Sequence, residues 1–222
     1  MPNKKAIVLL SGGLDSAVTL YFAKKLHFDC HCLAFDYRQR HRREIKSARL
    51  LASKARVPFT LERISLPRHG SSLLDTHMRL PHALIRQPEA GERIPSTYVP
   101  GRNIIFLSFA LSFAEIEKAG AIFIGAHAED YSGYPDCRKE FFRAFKMVSR
   151  TGTKAGVEGR PIEIYTPLLH KTKAQIIRMG KKLGVPFGLT RSCYSAGVKP
   201  CGECESCFYR AKGFREAGIE DK

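Results

Sequence analysis

The sequence predicts an α/β fold, a parallel five-stranded sheet with helices on both faces, followed by a C-terminal segment that contains four cysteines. Short apolar runs alternate with amphipathic stretches along the chain, which is the pattern of repeated strand–helix units. The 222 residues, of which 44% are hydrophobic, are enough for one large domain with a substantial core. The carboxyl ends of such strands form one edge of the sheet, where ligands bind, so the loops that follow the strands should carry the chemistry.

Five short apolar runs are the predicted strands. They are residues 6–10, 28–35, 59–64, 121–126 and 162–165. Amphipathic or apolar stretches between them predict helices at 16–25, 42–55, 103–117, 139–149 and 171–183. Ser16 is expected to begin the first helix. The stretch 103–117 is apolar almost all round, which predicts a central helix packed on all sides.

The alternation is interrupted once, between residues 65 and 100. This stretch contains five prolines and is expected to form an excursion or a lid over the sheet. We predict that residues 1–190 form the α/β domain and that residues 191–222 form a segment packed on the same domain.

Charge is the first informative feature of the composition. The formal net charge is +16, which predicts attraction for anions such as nucleotides, although a solvated basic surface gives the same count. No apolar run approaches the ~20 residues of a membrane helix. The first apolar stretch ends after five residues in Ser-Gly-Gly, so no secretory signal is predicted and a cytoplasmic location is expected. The odd number of cysteines, seven, favours thiols and a metal site over a disulfide framework.

A glycine-rich loop lies between the first predicted strand and the first predicted helix. Its residues are Leu10, Ser11, Gly12, Gly13, Leu14, Asp15 and Ser16. Glycines let the backbone approach an anion closely, and the helix N-terminus offers amide N–H groups and a positive dipole end. Asp15 is unusual beside a phosphate unless a metal ion or helix capping explains it. The motif is neither a Walker loop nor the dinucleotide Gly-x-Gly-x-x-Gly, and a glycine turn with a serine cap is the alternative interpretation.

The six residues Ser-Gly-Gly-Leu-Asp-Ser resemble the loop of ATP-pyrophosphatase enzymes, such as ammonia-dependent NAD synthetase, GMP synthetase and tRNA-thiolating enzymes. This resemblance implies that the loop holds the β- and γ-phosphates of ATP while a substrate oxygen attacks the α-phosphate. The products would be an adenylated carbonyl group and pyrophosphate, and a nucleophile would then displace AMP.

Four cysteines near the C-terminus have the spacing of a metal site. They are Cys193, Cys201, Cys204 and Cys207. Four thiolates make a closed tetrahedral site, so we predict one structural Zn²⁺ that stabilises a short basic helix at 208–216 against the domain. An iron–sulfur cluster or reduced thiols without metal are the alternatives. Cys30 and Cys32 alternate along a predicted strand and are expected to be buried on one side, whereas Cys137 lies in a polar loop.

Three stretches that lead into predicted helices are dense in polar and aromatic residues. The stretch 35–41 contains Asp36, Gln39, Arg40 and His41, which suit nucleotide contacts and carboxylate binding, although a capped helix start gives the same pattern. In 99–103, proline and glycine are expected to hold Arg102 at the edge of the sheet. The third stretch, 127–138, has side chains able to stack on a flat heterocycle.

Together these stretches resemble one family, the 7-cyano-7-deazaguanine synthases of the queuosine pathway. The matching residues are 11–16, 35–41, 94–103, 130–138, 166–168, Lys171, Lys173, 192–194 and 201–207, spread over nearly the whole chain. Tyr-Ser-Gly-Tyr-Pro-Asp-Cys-Arg and Val-Pro-Gly-Arg-Asn are far more specific than the ATP loop. Two departures are visible: Arg38 stands where a glycine is usual, and the gap between Cys193 and Cys201 is slightly short. Arg38 is expected to change access to the pocket.

The resemblance implies an adenine-nucleotide alpha-hydrolase-like fold and an ATP-dependent carbon–nitrogen ligase. Its substrates would be 7-carboxy-7-deazaguanine, free ammonium and ATP, and its product 7-cyano-7-deazaguanine. The carboxylate and then the amide would be activated, by adenylation that yields AMP or by phosphorylation that yields ADP. The loop 10–16 and Asp36 would bind ATP, with Asp15 helping to hold Mg²⁺, and Arg102 and Lys173 would neutralise developing charge.

The expected substrate-binding residues are Gln39, Arg40, His41, Tyr131, Asp136, Cys137 and Arg138. Cys137 as a covalent nucleophile is a weaker alternative. A homodimer is what the family suggests, and neither a membrane nor a nucleic-acid partner is expected. A tRNA-modifying adenylating enzyme and a non-enzymatic zinc-ribbon module are the competing functions. The first would show salt-dependent RNA binding, and the second leaves the glycine-rich loop unexplained.

Overall fold

The computed structural model describes residues 4–82, 94–127 and 133–221. In these ranges the strands are β1 (Lys5–Leu9), β2 (Asp29–Asp36), β3 (Phe59–Arg63), β4 (Ala121–Phe123) and β5 (Glu163–Tyr165). The α-helices are α1 (Leu14–Lys25), α2 (Arg43–Ala55), α3 (Arg102–Ile116), α4 (Lys139–Gly152), α5 (Lys154–Val157), α6 (Lys173–Lys182) and α7 (Glu205–Ala217). Two short 3₁₀ helices, Pro135–Cys137 and Phe187–Leu189, were not predicted.

The strands form one five-stranded sheet in the order β3-β2-β1-β4-β5, and every neighbouring pair is parallel. The predicted parallel five-stranded sheet is therefore confirmed. The chain moves from β1 to β2 and β3 on one side, and then returns to place β4 and β5 on the other. The loops that leave β1 and β4 thus diverge at the switch point of the sheet, which is where α/β folds of this kind bind ligands.

Helices cover both faces of the sheet, as predicted. Side chains alternate along each strand, so successive apolar residues are buried on opposite faces. Ala6 and Val8 of β1 belong to the core shared with α1, α2, α6 and α7. Ile7 and Leu9 belong to the opposite core, shared with α3 and α4. Cys30 and Cys32 lie buried in the first of these cores, in agreement with the expectation that they face the same side.

Element boundaries differ from the prediction where local contacts decide them. α1 begins at Leu14 with Gly13 as its N-cap, not at Ser16. The Ser16 hydroxyl donates to the Gly13 carbonyl at 3.0 Å, so it lies inside the first turn. β4 ends at Phe123 because its partner β5 ends at Tyr165. α6 begins at Lys173, not at 171, because Thr172 forms a capping box with Gln175.

The expectation that α3 is packed on all sides is wrong. Leu107, Ala110 and Leu111 are buried against the sheet. The opposite side is apolar and solvent-exposed; its residues, called here the α3 apolar face, are Ile104, Ile105, Phe109 and Ile116, with exposed fractions of 46%, 37%, 36% and 75%. α3 therefore carries more apolar side chains than its packing against the sheet buries.

The described parts of the interruption at 65–100 contain neither helix nor strand, apart from an isolated bridge between His82 and Cys204. Leu66, Leu73, Leu74 and Val99 bury their side chains in the core that contains α3. The segment is thus packed against the domain. Among the helices of the described ranges, none is long and apolar enough to cross a membrane.

Candidate active site

The glycine-rich loop connects β1 to α1 at the carboxyl end of the sheet. Gly12 adopts a left-handed backbone conformation (φ +93°), and a Cβ there would lie 2.1 Å from the Glu44 carbonyl oxygen. The Ser11 hydroxyl accepts a hydrogen bond from the Gly13 amide at 3.2 Å and lies 3.1 Å from the Ser16 hydroxyl. Gly13 caps α1 without a side chain, which leaves the amide N–H groups of the first helical turn available to an anion.

Asp15 lies in the first turn of α1 and forms a cluster with Lys173 and His127. The Lys173 ammonium lies 2.9 and 3.0 Å from the two carboxylate oxygens. His127 Nε2 lies 3.3 Å from Asp15 Oδ2 and 3.2 Å from Lys173 Nζ. Burial alone would raise the pKa of Asp15, but the charges of Lys173 and His127 outweigh it and lower that pKa well below its usual range. The carboxylate is therefore ionised throughout the physiological range.

The sheet topology brings this cluster together. His127 follows β4, and β4 is the neighbour of β1 on the side opposite β2. Gly125 allows a close approach between the two loops, because a Cβ there would lie 3.0 Å from the Asp15 backbone. Lys173 is the first residue of α6, and its side chain packs against Gly213 of α7, where a Cβ would lie 2.4 Å from Lys173 Cγ.

Arg102 begins α3, after Gly101 in a left-handed conformation (φ +64°). Its guanidinium donates to the Tyr37 hydroxyl at 3.4 Å. Burial raises the pKa of Tyr37 to about 12, so the phenol stays protonated beside the arginine. Arg102 is half-buried and places a positive charge in the lining of the cavity described below.

Asp136 and Asn103 join the N-terminus of α3 to the loop before α4. The Asp136 carboxylate accepts from the Asn103 amide N–H at 2.9 Å, and the Asn103 side chain donates to the Asp136 carbonyl at 3.0 Å. The same side chain lies 3.3 Å from Cys137 Sγ. Burial raises the pKa of the Cys137 thiol to about 12, so the sulfur is protonated at neutral pH.

The loop after β2 is held mainly by its own side chains. Gln39 is 1% exposed; its amide group accepts from the Tyr37 N–H at 3.0 Å and donates to Glu44 at 2.9 Å. The Asp36 carboxylate accepts from the Arg38 N–H at 3.1 Å and pairs with Arg42. The Arg40 guanidinium donates to the carbonyls of Asp75 and Met78, which attaches the loop to the segment 65–82.

A cavity of about 320 Å³ opens among these elements. The predicted site residues that line it are Leu10, Ser11, Gly13, Leu14, Asp15, Ser16, His41, Arg102, Cys137 and Lys173. The predicted residues outside its lining are Gly12, Asp36, Gln39, Arg40, Asp136 and Arg138. Tyr131 lies outside the described residues, as do the other residues of 128–132.

The four cysteines of the C-terminal segment come together beside the cavity. Their sulfur atoms all lie within 4.8 Å of one another, and Cys193 Sγ lies 3.6 Å from Cys201 Sγ. Tetrahedral zinc with Zn–S bonds of 2.3 Å requires sulfur separations of about 3.8 Å. The donor set and its spacing therefore fit a metal ion bound by four thiolates. In the described part of the chain this is the only group of three or more such ligands.

Comparison with known proteins assigns the family. Residues 5–218 match the family described as "Queuosine biosynthesis protein QueC". The chain belongs to the QueC family. Proteins named 7-cyano-7-deazaguanine synthase are similar over nearly their full length: the one from Saccharophagus degradans is 47% identical (100% of this chain, 97% of the relative), and the one from Desulfatibacillum aliphaticivorans is 51% identical (99% and 95%). A third, from Methylococcus capsulatus, is 51% identical over 98% of this chain and 97% of its own.

Solved structures resemble this QueC chain in fold. A 4-thiouridine synthetase in complex with RNA and bound ATP has a TM-score of 0.52 at 17% identity, covering 96% of this chain and 50% of that one. NMN synthetase from Francisella tularensis has a TM-score of 0.50 at 16% identity, covering 100% and 79%. The adenine-nucleotide alpha-hydrolase-like fold implied by the sequence is confirmed.

Sequence reasoning missed several residues of the QueC cavity. His127 was recognised only as part of a polar loop, although its position after a predicted strand was a signal for it. Glu44 of α2 and Glu205 of α7 also line the cavity, and their residue types alone gave no signal. Tyr134 and Tyr194 belong to the matching stretches 130–138 and 192–194, but neither was singled out as a site residue. Only the folded chain brings them to the same cavity.

Proposed function

We propose that this chain converts 7-carboxy-7-deazaguanine and ammonium into 7-cyano-7-deazaguanine at the expense of ATP, as a step of queuosine biosynthesis. The observation that carries the proposal is the Asp15–Lys173–His127 cluster, which sits beside the open N-terminus of α1 in the cavity. Family membership and the full-length relatives support the choice of substrate. Geometry and family thus favour the same reaction.

ATP would place its phosphates on the loop at 10–16. The first-turn N–H groups of α1 and the hydroxyl of Ser11 supply donors there. Lys173 neutralises charge that develops on the phosphates, and Asp15 sets the position of that lysine. Arg102 would bind the substrate carboxylate, because a guanidinium matches the two oxygens of a planar carboxylate.

The chemistry requires two activations. In the first, a carboxylate oxygen attacks the α-phosphorus of ATP and expels pyrophosphate, and ammonia then adds to the acyl carbon and displaces AMP to give the amide. In the second, the amide oxygen attacks another ATP, again expelling pyrophosphate. Loss of AMP with two protons from nitrogen leaves the nitrile. Both steps use the same loop, since both require an oxygen nucleophile at an α-phosphorus.

Two metal ions belong to the proposal. Mg²⁺ usually binds through one or two carboxylates together with substrate phosphates, and Asp15 is the carboxylate that would contribute here. Zn²⁺ would be held by Cys193, Cys201, Cys204 and Cys207 in a closed, structural site. We infer zinc rather than an iron–sulfur cluster, because the four sulfur atoms lie within 4.8 Å of one another, close enough to bind one ion.

Most of the predicted site residues that do not line the cavity are proposed to hold neighbouring loops and residues in place. Gln39 and Arg40 hold the loop that carries His41, and Asp136 fixes the N-terminus of α3 and therefore Arg102. Asp36 stabilises the backbone at Arg38. For Tyr131 and Arg138 we retain the proposal that they contact the deazaguanine, as the family motif implies.

We propose that residues 191–222 form a zinc segment on the α/β domain of residues 1–190, and that the described parts of 65–100 act as a lid. Phe214 of α7 is buried in the same core as α1 and α6. Leu73, Pro95 and Thr97, from the two described parts of the interruption, line the cavity. A cytoplasmic location suits the seven cysteines, all of which are free thiols in the structure.

The α3 apolar face supports the proposal of a homodimer. Exposed aliphatic side chains at Ile104, Ile105 and Ile116 share one side of a rigid helix, and a second copy would remove them from water. Light scattering coupled to gel filtration tests this: the pair of substitutions Ile105→Asp and Ile116→Asp should give a monomer. Val198→Asp, at a position 71% exposed in the four-cysteine segment, is the control. A monomeric unsubstituted protein would refute the dimer.

The activity is tested by incubating zinc-loaded protein with ATP, Mg²⁺, ammonium and 7-carboxy-7-deazaguanine, followed by mass spectrometry. Nitrile together with AMP supports both the function and the adenylation route. Nitrile together with ADP keeps the function and overturns the route. Absence of turnover by folded protein refutes the function, and salt-dependent tRNA binding would then favour the tRNA-modifying alternative that the +16 charge permits.

A further inference from the structure

A histidine and a glutamate at the start of α2, His41 and Glu44, form a pair in the lining of the cavity. His41 Nε2 lies 3.3 Å from Glu44 Oε1, and the two side chains are 8% and 12% exposed. The His41 carbonyl accepts from the Glu44 N–H at 2.9 Å, so a tight backbone turn fixes the two residues relative to each other. Gln39 donates to the same carboxylate at 2.9 Å and holds it beside the imidazole.

The other ring nitrogen of His41, Nδ1, is buried and has no hydrogen-bond partner among the described residues. A carboxylate oxygen beside Nε2 favours the tautomer that carries its proton on Nε2, which leaves a free lone pair on Nδ1. Buried polar atoms are nearly always paired in folded proteins, and an exception requires an explanation such as a chemical role. Nδ1 is thus a buried base, without a donor, on a residue that lines the cavity.

The pair lies beside the glycine-rich loop. α2 packs so closely on Gly12 that a Cβ there would lie 2.1 Å from the Glu44 carbonyl oxygen. The proposed function places the phosphates of ATP on this loop. The activated carbonyl group would therefore form in the same cavity that His41 lines.

The reaction needs a base in this cavity. Ammonium cannot attack a carbonyl group, because its nitrogen has no lone pair, so one proton has to be removed before the C–N bond forms. Lys173 and Arg102 are cations and cannot accept that proton. Asp15 is a weak base, since its neighbours lower its pKa well below its usual range, and His127 is engaged with Asp15 and Lys173.

We propose that His41 is the general base that takes a proton from ammonium, and that Glu44 is the positioning residue that holds its ring. The inference rests on the proposed function. The Nδ1 lone pair accepts one ammonium proton, and the electron pair of the broken N–H bond becomes the lone pair of ammonia. That pair forms the C–N bond to the acyl carbon, while the bond from this carbon to the AMP oxygen breaks. The nitrogen then loses its second proton to the AMP phosphate, which leaves the amide.

The surroundings of His41 suit this role near neutral pH. Glu44 stabilises the imidazolium that forms when Nδ1 takes up the proton. The Tyr194 ring lies 6.0 Å from the His41 ring, between centroids, and burial raises the pKa of its phenol well above the usual value, so it is uncharged. The guanidiniums of Arg40 and Arg42, on the same loop, bind other acceptors. The other charged side chains that line the cavity are Asp15, Arg102, Lys173, Arg191, Glu205 and Arg210.

The test separates activation of the acid from use of ammonium. Exchange of labelled pyrophosphate into ATP, with 7-carboxy-7-deazaguanine but without ammonium, measures activation. The kcat/KM for total ammonium in nitrile formation measures the second step. His41→Asn should keep the exchange rate within about twofold and lower this kcat/KM about 10²–10³-fold at pH 7, the usual contribution of a general base.

The pH dependence identifies the missing proton transfer. The unsubstituted protein removes the proton with its own base, so its kcat/KM for total ammonium, divided by the exchange rate at the same pH, should stay nearly constant between pH 7 and 9. His41→Asn depends on free ammonia, whose fraction grows about tenfold per pH unit in this range. Its kcat/KM should rise with that slope and recover most of the deficit by pH 9.

His69→Asn is the matched control, because the side chain of His69 is 95% exposed, and it should equal the unsubstituted protein in both measurements. Glu44→Gln keeps the imidazole and should lower kcat/KM for ammonium about tenfold, with exchange unchanged. A loss of exchange in His41→Asn as large as its loss in ammonium use overturns the inference, because His41 would then act on ATP or on the acid.

The unsubstituted protein alone also decides the question. If its own kcat/KM for total ammonium rises about tenfold per pH unit from pH 7 to 9, it takes up only free ammonia and the inference is overturned. This comparison holds whether AMP or ADP is released. Absence of both exchange and nitrile in the unsubstituted protein refutes the proposed function instead.

Discussion

The Lys173 ammonium lies 2.9 Å from Asp15 Oδ1, although 158 positions of sequence separate the two residues. Asp15 belongs to the first turn of α1, and Lys173 to the first turn of α6. The two helix N-termini thus face the same part of the cavity, one with a carboxylate and the other with an ammonium. Each holds the other in place.

Replacement of Lys173 by alanine should lower kcat about 10²–10³-fold, because a positive charge aimed at the reacting phosphate is lost. The KM for 7-carboxy-7-deazaguanine should change far less, since Arg102 is proposed to bind the carboxylate. Lys181→Ala, at the exposed end of the same helix, is the control. Steady-state kinetics provides the measurement, and equal losses in kcat and substrate affinity would contradict the assigned role.

Cys137 should resist alkylation in the folded protein. Burial raises the pKa of its thiol to about 12, so at pH 7.5 almost no thiolate is present. Iodoacetamide treatment followed by peptide mass mapping measures this, with urea-unfolded protein as the reference for full reaction. Rapid modification at pH 7.5 would restore Cys137 as a candidate nucleophile.

Gly12→Ala should destabilise the protein by about 3 kcal/mol or more, because φ is positive and the new Cβ would collide with the Glu44 carbonyl. Gly70 is the matched control: its φ is +88°, but nothing lies within 4 Å of its Cβ position. Gly70→Ala should therefore lose only about 1–2 kcal/mol. Urea unfolding measures both. Similar losses would show that strain alone, and not the contact with α2, makes glycine necessary.

Arg38→Gly should stabilise the protein. Arg38 has a φ of +62° and is exposed, so it bears the strain of a left-handed conformation without a buried contact in return. The gain should be about 0.5–1 kcal/mol, after the greater freedom of glycine in the unfolded chain is subtracted. Arg38→Ala keeps the strain and serves as the control. An equal gain in stability in both variants would show that removal of the arginine side chain, and not relief of backbone strain, is the cause.

Removal of the metal should unfold the C-terminal segment. The protein should contain about one zinc per chain by elemental analysis, and Cys201→Ser should contain little. Its Tm should fall by at least about 10 °C, since ligand binding at such sites contributes strongly to folding. Val198→Ala, in the same loop with 71% exposure, should keep its zinc. If elemental analysis finds iron instead of zinc, the iron–sulfur alternative is supported. An unchanged Tm in Cys201→Ser would show that the metal site is not structural.

Much of the fold was predictable because its signals are local. Alternating apolar runs gave five parallel strands with helices on both faces, and cysteine spacing gave a metal site whose sulfurs do converge. The departures also have local causes, such as the capping box at Thr172 and the short partner of β4. The exposed side of α3 is different: a sequence shows that a helix is apolar, but not how much of it the domain itself covers.

The order of the strands along the chain does not determine their order in the sheet. That order places β4 beside β1, and therefore His127 beside Asp15. Likewise, Gln39 and Arg40 were chosen as substrate ligands from their residue types, yet their polar groups bond within the loop and to the segment 65–82. Hydrogen-bond partners in the folded chain, near in sequence for Gln39 and distant for Arg40, decide whether a polar side chain is available to a ligand.

The sequence by itself determined the order and type of the elements, the glycine-rich loop between β1 and α1 and the four-cysteine cluster, because periodicity, glycine conformation and cysteine spacing act over a few residues. The tertiary structure alone decided which side chains share the cavity. Lys173 meets Asp15, and Glu205 faces the same space as Arg102, only after the sheet is ordered and α7 is packed against α6. Charges that interact through space depend on the folded distances between them, which no local pattern records.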